Sequence, residues 1–385
     1  MFFDIALYIA LIIFGLGMVY RLFTWFLQNV GMVEGDIRPA KRVYGAMKGI
    51  LGTVFSRKIL SFLKVFVLDV LLQLKILRDR KDRILWVSHI FIFVGFILLL
   101  LMHALGGIIT SSLFSDYQST LNPFMFLRNL FGALVISGLV LAIIRRRILL
   151  KKGRLRTISA MNYYAIVILA IIIVSGFLLE GVKISSYSAY QRMVEDYTSA
   201  TEDSEAHALE AFWVENFGVV SPKTQMPFSA EMLAQGKELH EMSCADCHSR
   251  PKWAFISYSV SRATKSIALG IDKARVQTVL WYVHFLSCFF GMAYFAFSKM
   301  FHAFATPLSL LVTAAEEKSK EAPENVSTRQ MIELAGCSYC STCRLECPVR
   351  QKRWERIEMT PEFGLVLEYV GQKNWKDLGS RYVAG

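Results

Sequence analysis

Five long apolar blocks limit the fold of this 385-residue chain more than any other feature. Each block comes close to the ~20 residues that an α-helix needs to cross about 30 Å of hydrocarbon. Hydrophobic residues make up 54% of the chain and charged residues only 19%. The sequence therefore predicts an all-α membrane protein with five transmembrane helices. The blocks run from Phe3 to Leu27, from Ile84 to Ile109, from Phe124 to Ile144, from Met161 to Leu179 and from Val276 to Met300.

A sixth apolar stretch, from Ile59 to Leu77, is not counted among the spans. Lys64, Asp69 and Lys75 interrupt it, and one charge at the centre of a bilayer costs about 2.5 to 3.5 kcal/mol on insertion scales. We predict an amphipathic helix that lies on the membrane surface there. The first block has no basic leader and carries Arg21 towards its end, so we predict a retained helix in place of a cleaved signal peptide.

Basic residues predict how the spans are oriented. Residues 28–83 hold twelve Lys or Arg and residues 145–156 hold seven, whereas residues 110–123 hold none. Because basic loops stay in the cytoplasm, we expect the N-terminus outside and the C-terminus inside a bacterial or archaeal cytoplasmic membrane. This topology accounts for the formal net charge of +12. Membrane lipid is then the expected partner, and nucleic-acid binding is not needed to explain the charge.

A Cys-x2-Cys-His motif lies in the predicted outer segment. Cys244, Cys247 and His248 spell Cys-Ala-Asp-Cys-His, which is the attachment pattern of one covalent haem c with His248 as an axial ligand. A zinc site is the alternative, but the outer segment has no second pair of cysteines that could complete it. The lead-in GKELHEMSCADCH resembles the first helix of small c-type cytochromes.

The distal ligand of this haem is less constrained by the sequence. The stretch between His248 and Val276 is too short for the Met-bearing second half of an ordinary small cytochrome c. His207 and Met226, both upstream, are therefore the candidates that could bend back over the other face. His240 is poorly placed for this role because it belongs to the attachment helix itself.

Four of the seven histidines belong to the second and fifth blocks. His89 and His103 are fourteen residues apart, and His284 and His302 are eighteen apart. At 100° per residue, fourteen residues return to within ~40° of the starting face and eighteen make five whole turns, so each pair lines one face of its helix. Since the two helices are antiparallel, His89 pairs in depth with His302 and His103 with His284. We predict two haems b, each between two imidazoles; histidines that only join helices by hydrogen bonds are the alternative. The glycines expected to leave room for a porphyrin edge are Gly95, Gly106 and Gly107.

A second cysteine motif lies in the predicted cytoplasmic tail. Cys337, Cys340, Cys343 and Cys347, followed by Pro348, have the spacing of an iron–sulfur cluster site. In two-cluster ferredoxins the fourth cysteine binds the other cluster, and this chain has no second run. Either Cys347 closes a single 4Fe-4S site or a partner subunit supplies further ligands. Structural zinc is the alternative.

These motifs divide the chain into four parts. The orientation was obtained without the cysteines, yet it puts the haem c motif outside and the cluster motif inside. Residues 306–327 read as a tether or short surface helix that carries the cluster away from the membrane, and Cys288 is expected to be a packing residue. The parts are residues 1–180 with four spans and a basic cytoplasmic segment, residues 181–273 as a periplasmic haem c segment, residues 274–305 as the fifth span, and residues 306–385 as a cytoplasmic linker with a small 4Fe-4S domain.

The histidine pattern resembles that of a known group of membrane cytochromes b. Over residues 1–305 the chain is similar to the gamma subunit of respiratory nitrate reductases and to the cytochromes b of heterodisulfide-reductase-like and sulfite-reduction-associated complexes. The eighteen-residue spacing from His284 to His302 is the most specific element, and the tail sequence GCSYCSTCRLECPV resembles cluster-binding segments of heterodisulfide reductase subunits. The resemblance implies exchange of electrons with menaquinol and a cytoplasmic iron–sulfur partner. The added haem c motif departs from the family pattern.

The sequence as a whole predicts an electron-transfer subunit of a respiratory complex. We expect a relay between an outer donor, which is a periplasmic cytochrome c or menaquinol, and a cytoplasmic partner of the heterodisulfide reductase type. The protein supplies axial ligands and spacing, and quinol oxidation is the one chemical step that it could add. The alternative is a membrane-anchor or assembly subunit whose cysteine motifs are structural.

Overall fold

The computed structural model describes residues 2–28, 38–80, 82–152, 160–198, 203–224, 226–315 and 323–336. In those ranges the regular structure is helical, and no β-strand occurs. The α-helices are α1 (Phe2–Leu27), α2 (Pro39–Val54), α3 (Lys58–Val65), α4 (Leu74–Arg80), α5 (Arg83–Leu99), α6 (Ser111–Leu113), α7 (Phe124–Lys151), α8 (Ala160–Ser185), α9 (Tyr187–Tyr197), α10 (Asp203–Asn216), α11 (Ala230–Ser243), α12 (Phe255–Thr264), α13 (Ala268–Lys273), α14 (Val276–Ala293), α15 (His302–Ala315) and α16 (Pro323–Ala335).

Five of the described helices are long and apolar enough to cross a membrane. They confirm the predicted number of spans, and they make the chain a multi-pass membrane protein. The segment from Ile59 to Leu77 is not among them. The five run from Phe2 to Leu27, from Arg83 to Ala104, from Phe124 to Lys151, from Tyr163 to Ser185 and from Val276 to Ala293.

The second span changes its helical form near its end. Helix α5 stops at Leu99, and π-helical turns follow at Leu100–Ala104 and Gly106–Thr110. A π-turn holds more residues per turn than an α-helix, so the fourteen residues from His89 to His103 do not return to one face as predicted. Single π-turns inside helices are frequent at functional sites, and His103 lies within the first of these two.

The fifth span is shorter than predicted, and His302 is not part of it. Helix α14 ends at Ala293, and 3-10 turns at Phe295–Phe297 and Lys299–Phe301 separate it from α15. Ser298 between these turns is extended, and its Oγ accepts a hydrogen bond from Met300 N at 3.2 Å, as an N-cap serine does. The prediction of one continuous helix with His284 and His302 on one face is therefore wrong.

The predicted surface helix at Ile59–Leu77 is also divided. Helix α3 passes into a π-turn at Phe66–Leu71, and α4 begins only at Leu74. Gln73 has a positive φ of 53°, which ends the helical path at that residue. Trp86 Nε1 donates to Leu72 O at 2.9 Å and satisfies a carbonyl at the break.

Contacts between residues divide the chain into two compact units. The first unit comprises residues 1–86, 143–167 and 289–385, and the second comprises residues 87–142 and 168–288. Helices α5, α7, α8 and α14 contribute residues to both.

A buried cluster joins three helices in the first unit. Trp25 of α1, Phe301 and Ala305, and Met331 and Ile332 of α16 form this core. Helix α16 is therefore packed against α1 and α15. These two packed helices include much of the segment 306–327. Residues 306–315 belong to α15, and residues 323–327 belong to α16. Of the two predicted alternatives, a tether or a short surface helix, these described residues are helical, and residues 316–322 lie outside the described ranges.

Arg42 links the end of α1 to α16 in the same unit. Its side chain is 1% exposed, and its guanidinium donates to Trp25 O at 2.5 Å, Gln28 O at 2.7 Å and Thr328 Oγ1 at 3.0 Å. Two of these acceptors are backbone carbonyls at the C-terminal end of α1, where helix carbonyls lack intrahelical partners and a cation is favoured.

The second unit has its own core, which surrounds Cys244. Aromatic residues of α9 and α10 supply most of the buried surface. Helices α10 and α11 approach so closely that a Cβ at Gly236 would lie 2.1 Å from Ala208 O. The core residues are Tyr187, Tyr190, Leu209, Phe212, Trp213, Phe217, Val219 and Cys244.

Replacing Arg42 by Met should release α16 from the first unit. Hydrogen bonds from a charged donor contribute about 1.5 to 3 kcal/mol each, so we expect faster amide hydrogen exchange in residues 323–336 of Arg42→Met. The matched control is Lys41→Met, since Lys41 is an exposed cation on the same helix. Equal exchange in both variants would contradict the role of Arg42.

Candidate functional site

The Cys-x2-Cys-His motif forms a turn directly after α11. Cys244 N donates to His240 O at 2.8 Å, and His248 N donates to Cys244 O at 2.9 Å. Cys244 is buried and Cys247 is exposed, and both are free thiols. Burial raises the pKa of the Cys244 thiol to about 11. The predicted helical lead-in is confirmed, and the motif offers the two unpaired thiols that thioether attachment requires.

The His248 ring packs against an aromatic side chain. The Trp213 ring meets the His248 ring edge-on, with centroids 5.4 Å apart. Burial lowers the pKa of His248, which favours the neutral imidazole that a metal ligand needs. His240 packs among aromatic residues, with its ring centroid 4.7 Å from that of Phe217 and 5.6 Å from that of Trp213.

The residues considered for the distal position lie in different environments. His207 is exposed on α10, and Met226 is 57% exposed. His240 is only 7% exposed, and its Nδ1 has no hydrogen-bond partner within the described ranges. His207 and Met226 therefore stay untested candidates, and His240 is a buried histidine whose ring contacts Trp213, as that of His248 does.

Three hydrogen bonds attach the motif to the loop after the second span. Thr120 Oγ1 donates to Cys247 O at 2.5 Å, and Ser249 N donates to Thr120 O at 3.1 Å. Asn122 N donates to Ser249 Oγ at 2.9 Å. The backbone on both sides of His248 is thus held by residues 127 positions away in the chain.

A buried polar network anchors the segment that follows the motif. Ser257, which is fully buried, donates to Glu180 Oε2 at 2.7 Å, and its backbone N donates to Asn129 Oδ1 at 3.2 Å. Glu180 also accepts from Asn129 Nδ2 at 2.8 Å and forms an ion pair with Arg128. Helix α12 is therefore fastened to α7 and α8, and every charge in the network has a partner.

His103 and His284 come together in the second unit. Their ring centroids are 6.1 Å apart with an interplanar angle of 44°. Two metal–nitrogen bonds of about 2.0 Å and two half-ring widths of about 1.1 Å would put the centroids of two axial imidazoles about 6 Å apart. The centroid separation equals that of two imidazoles on one metal, and ligation of the outer haem b by His103 and His284 stays a prediction.

A backbone carbonyl determines the tautomer of His284. His284 Nδ1 lies 3.0 Å from Ile172 O and 3.1 Å from Ser175 Oγ. Because a carbonyl oxygen can only accept, Nδ1 carries the proton and Nε2 keeps the lone pair that binds a metal. Neither Ile172 nor Ser175 was a candidate from the sequence, since a backbone acceptor on another helix leaves no local signal.

The glycine that leaves room for the His284 ring is not one of the three glycines that were predicted to make room for a haem. A Cβ at Gly176 would come within 3.1 Å of His284 Cε1, so this glycine gives the ring its space. Protein atoms fill the space beside two of the predicted glycines: Phe131 O is 2.7 Å from a Cβ at Gly95, and Tyr117 Oη is 2.7 Å from a Cβ at Gly106. Gly107 has no atom within 4 Å of such a Cβ.

The other predicted pair is divided between the two units. His89 belongs to the second unit and His302 to the first. His302 Nδ1 lies 2.5 Å from Lys299 O, so this ring also donates to a carbonyl and keeps Nε2 for a ligand. Ligation by His89 and His302 stays a prediction.

The four cysteines of the cluster motif, Cys337, Cys340, Cys343 and Cys347, lie outside the described residues. The last described residue is Gly336, whose carbonyl accepts from Thr306 Oγ1 at 2.9 Å. A Cβ at Gly336 would be 3.2 Å from Thr306 Cα, so only a small residue fits there. Within the described ranges no group of three or more His, Cys, Asp or Glu side chains is arranged to hold a metal ion.

Replacing Gly176 by Val should displace His284 and remove one of the two expected haems b. The added branches would enter the His284 ring, and such overpacking costs about 1 to 3 kcal/mol. The haem b content of the purified variant measures the effect. Gly107→Ala is the control, because a Cβ there meets no neighbour. Full haem b content in Gly176→Val would contradict the assignment of His284.

Comparison with known proteins identifies two similar sequences. Both are the E subunit of a dihydromethanophenazine:CoB–CoM heterodisulfide reductase: the chain is 26% identical over 198 residues to that of Methanosarcina barkeri, and 26% identical over 190 residues to that of Methanosarcina thermophila. Each match covers 46% of this chain and 69% of the relative. No family model matches the chain, and no solved structure matches it. The chain is thus similar to the E subunit of a heterodisulfide reductase.

Proposed function

We propose that this chain relays electrons across a membrane between an outer donor and a cytoplasmic iron–sulfur partner. The relay would use one haem c, two haems b and one 4Fe-4S cluster. Haem c would be attached at Cys244 and Cys247, with His248 as its ligand. The ligands of the other groups would be His103 and His284 for the outer haem b, His89 and His302 for the inner haem b, and Cys337, Cys340, Cys343 and Cys347 for the cluster.

One observation carries this proposal: hydrogen bonds from one loop reach the haem c motif through Thr120 and the backbone next to His103 through Tyr117. Thr120 holds the backbone on both sides of His248, and the loop that contains Thr120 follows directly from the span that contains His103. Two attachment sites for haem that are fixed in one unit are suited to passing electrons between them. A structural role for the cysteines would not require the motif to be held beside the His103 span.

The positions of His103 and His284 support the proposed outer haem b site. His103 and His284 present two rings at the separation that one metal requires, and Ile172 O holds the proton of His284 on Nδ1. A haem iron bound there takes up and releases one electron at a time, with a potential that depends on its axial ligands. The apolar helices around the rings exclude water, which influences that potential.

The inner end of the proposed relay rests on the packing of α15 and α16. His302 is the first residue of α15, and Thr306 lies one turn further along the same helix. Thr306 Oγ1 donates to Gly336 O at 2.9 Å, and Gly336 directly precedes Cys337 of the cluster motif in the sequence. This arrangement supports a cluster that receives electrons from the inner haem b.

The partners follow from the sidedness of the motifs and from the relatives. The outer donor would be a periplasmic cytochrome c or menaquinol. The relatives are subunits of an enzyme named for dihydromethanophenazine and a CoB–CoM heterodisulfide, and by analogy we infer a cytoplasmic subunit of the heterodisulfide reductase type. The N-terminus would lie outside the cytoplasmic membrane and the C-terminus inside.

The haem content of the purified chain tests this proposal. Acid-acetone extraction followed by pyridine haemochrome spectra should release two haems b and leave one haem c on each polypeptide. His284→Ala should lose one haem b and keep the other, because His89 and His302 are unchanged. A spectrum without haem would favour the alternative of an anchor subunit with structural cysteines.

The cluster should depend on Cys337, Cys340 and Cys343 more strictly than on Cys347. The fourth cysteine of such a run binds a second cluster in two-cluster ferredoxins, and the chain contains no second run. Electron paramagnetic resonance of the reduced chain and of the four single Cys→Ser variants measures the dependence. Equal loss of signal in all four variants would show a self-contained site.

A further inference from the structure

The loop between the second and third spans contacts both haem-binding regions of the second unit. We call residues 111–123 the outer loop. At one end, Thr120 binds the carbonyl of Cys247 and the backbone N of Ser249, on either side of His248. Asn122 N adds a bond to Ser249 Oγ. The backbone of the predicted haem c ligand is therefore held by this loop.

The other end of the outer loop is held against the His103 segment. Tyr117 OH donates a hydrogen bond to Met102 O, and Met102 is covalently joined to His103. The Tyr117 ring packs edge-on against Phe124, with centroids 4.9 Å apart. Gly106 is necessary for this contact, because a Cβ there would lie 2.7 Å from the Tyr117 hydroxyl oxygen.

We propose that the outer loop is the electron bridge between the haem c site and the outer haem b site, with Thr120 and Tyr117 as its positioning residues. This inference rests on the proposed function. The step would transfer one electron from a ferrous haem iron, if bound by His248, to a ferric haem iron, if bound by His103 and His284. Haem c is oxidised, haem b is reduced, and no proton moves and no bond is made.

The physical reason is that electron tunnelling weakens exponentially with distance and passes better through covalent and hydrogen bonds than through empty space. From Cys247 the path crosses the bond to Thr120, follows three residues of chain to Tyr117, and crosses the bond to Met102. Both ends are fixed by hydrogen bonds within one unit, so the loop determines the separation of the two sites. Direct transfer between porphyrin edges is the competing route.

Two substitutions remove the hydrogen bonds without changing side-chain shape. Thr120→Val removes the donor to Cys247 O, and Tyr117→Phe removes the donor to Met102 O while it keeps the ring against Phe124. Thr120→Ser keeps the hydroxyl and should restore the unaltered rate. The control is Thr110→Val, because the Thr110 hydroxyl donates to Leu101 O at 3.0 Å, beside Met102, and not to the outer loop.

The experiment follows absorbance of haem b after photochemical reduction of haem c in the full chain. We expect several-fold slower transfer in Thr120→Val and in Tyr117→Phe, and unaltered rates in Thr120→Ser and Thr110→Val. Midpoint potentials and haem content should stay unchanged in all four variants. Both are measured because a smaller driving force or a missing haem would also slow electron transfer.

Three results would overturn the proposal. Unaltered transfer in both Thr120→Val and Tyr117→Phe would show that direct transfer between porphyrin edges dominates. Loss of a haem in both variants would show that the loop holds the haems in place and does not act as a bridge. If the unaltered chain contains haem c and haem b but shows no transfer between them, the proposed function fails together with the bridge.

Discussion

Hydrogen bonds from imidazole rings to backbone carbonyls underlie the proposed haem sites. Ile172 O accepts from His284, and Lys299 O accepts from His302. Each bond keeps the ring proton on Nδ1, so Nε2 is available to a metal. In a membrane a polar ring also needs a partner, because an unsatisfied group in hydrocarbon costs several kcal/mol. The same contact therefore stabilises the ring in an apolar surrounding and prepares it as a ligand.

Departures from regular α-helix occur at two of the four histidines. His103 lies in a π-turn, and His302 follows a 3-10 turn and begins a new helix. Irregular backbone at membrane depth is tolerated where the freed groups are satisfied inside the protein. Near His103 the outer loop supplies such a group, since Tyr117 binds Met102 O. His103, its π-turn and the loop contacts thus form one connected arrangement in the second unit.

The features that could be predicted from the sequence are the spans and helices that depend on local residue patterns. Apolar runs identified all five spans, and the residues before Cys244 predicted the helix α11. Periodicity failed at His302 because a fixed 100° per residue assumes an unbroken helix, whereas the chain is extended at Ser298 and α15 begins at His302. Contacts between distant segments, such as Thr120 with Cys247 and Arg42 with Thr328, could not be predicted because they depend on packing across 127 and 286 positions.

The most direct test of a transmembrane relay uses closed vesicles of known orientation that contain the unaltered chain. A membrane-impermeant reductant is added on the face at which a thiol label reaches a cysteine introduced at the exposed Met242 in a parallel preparation, and visible spectra follow haem c and haem b while electron paramagnetic resonance follows the cluster. We expect reduction of haem c first, then of both haems b, and of the cluster or its partner last. Labels that place cysteines introduced at Met242 and at Gly385 on the same side of the membrane, or reduction of haem b without haem c, would contradict the relay.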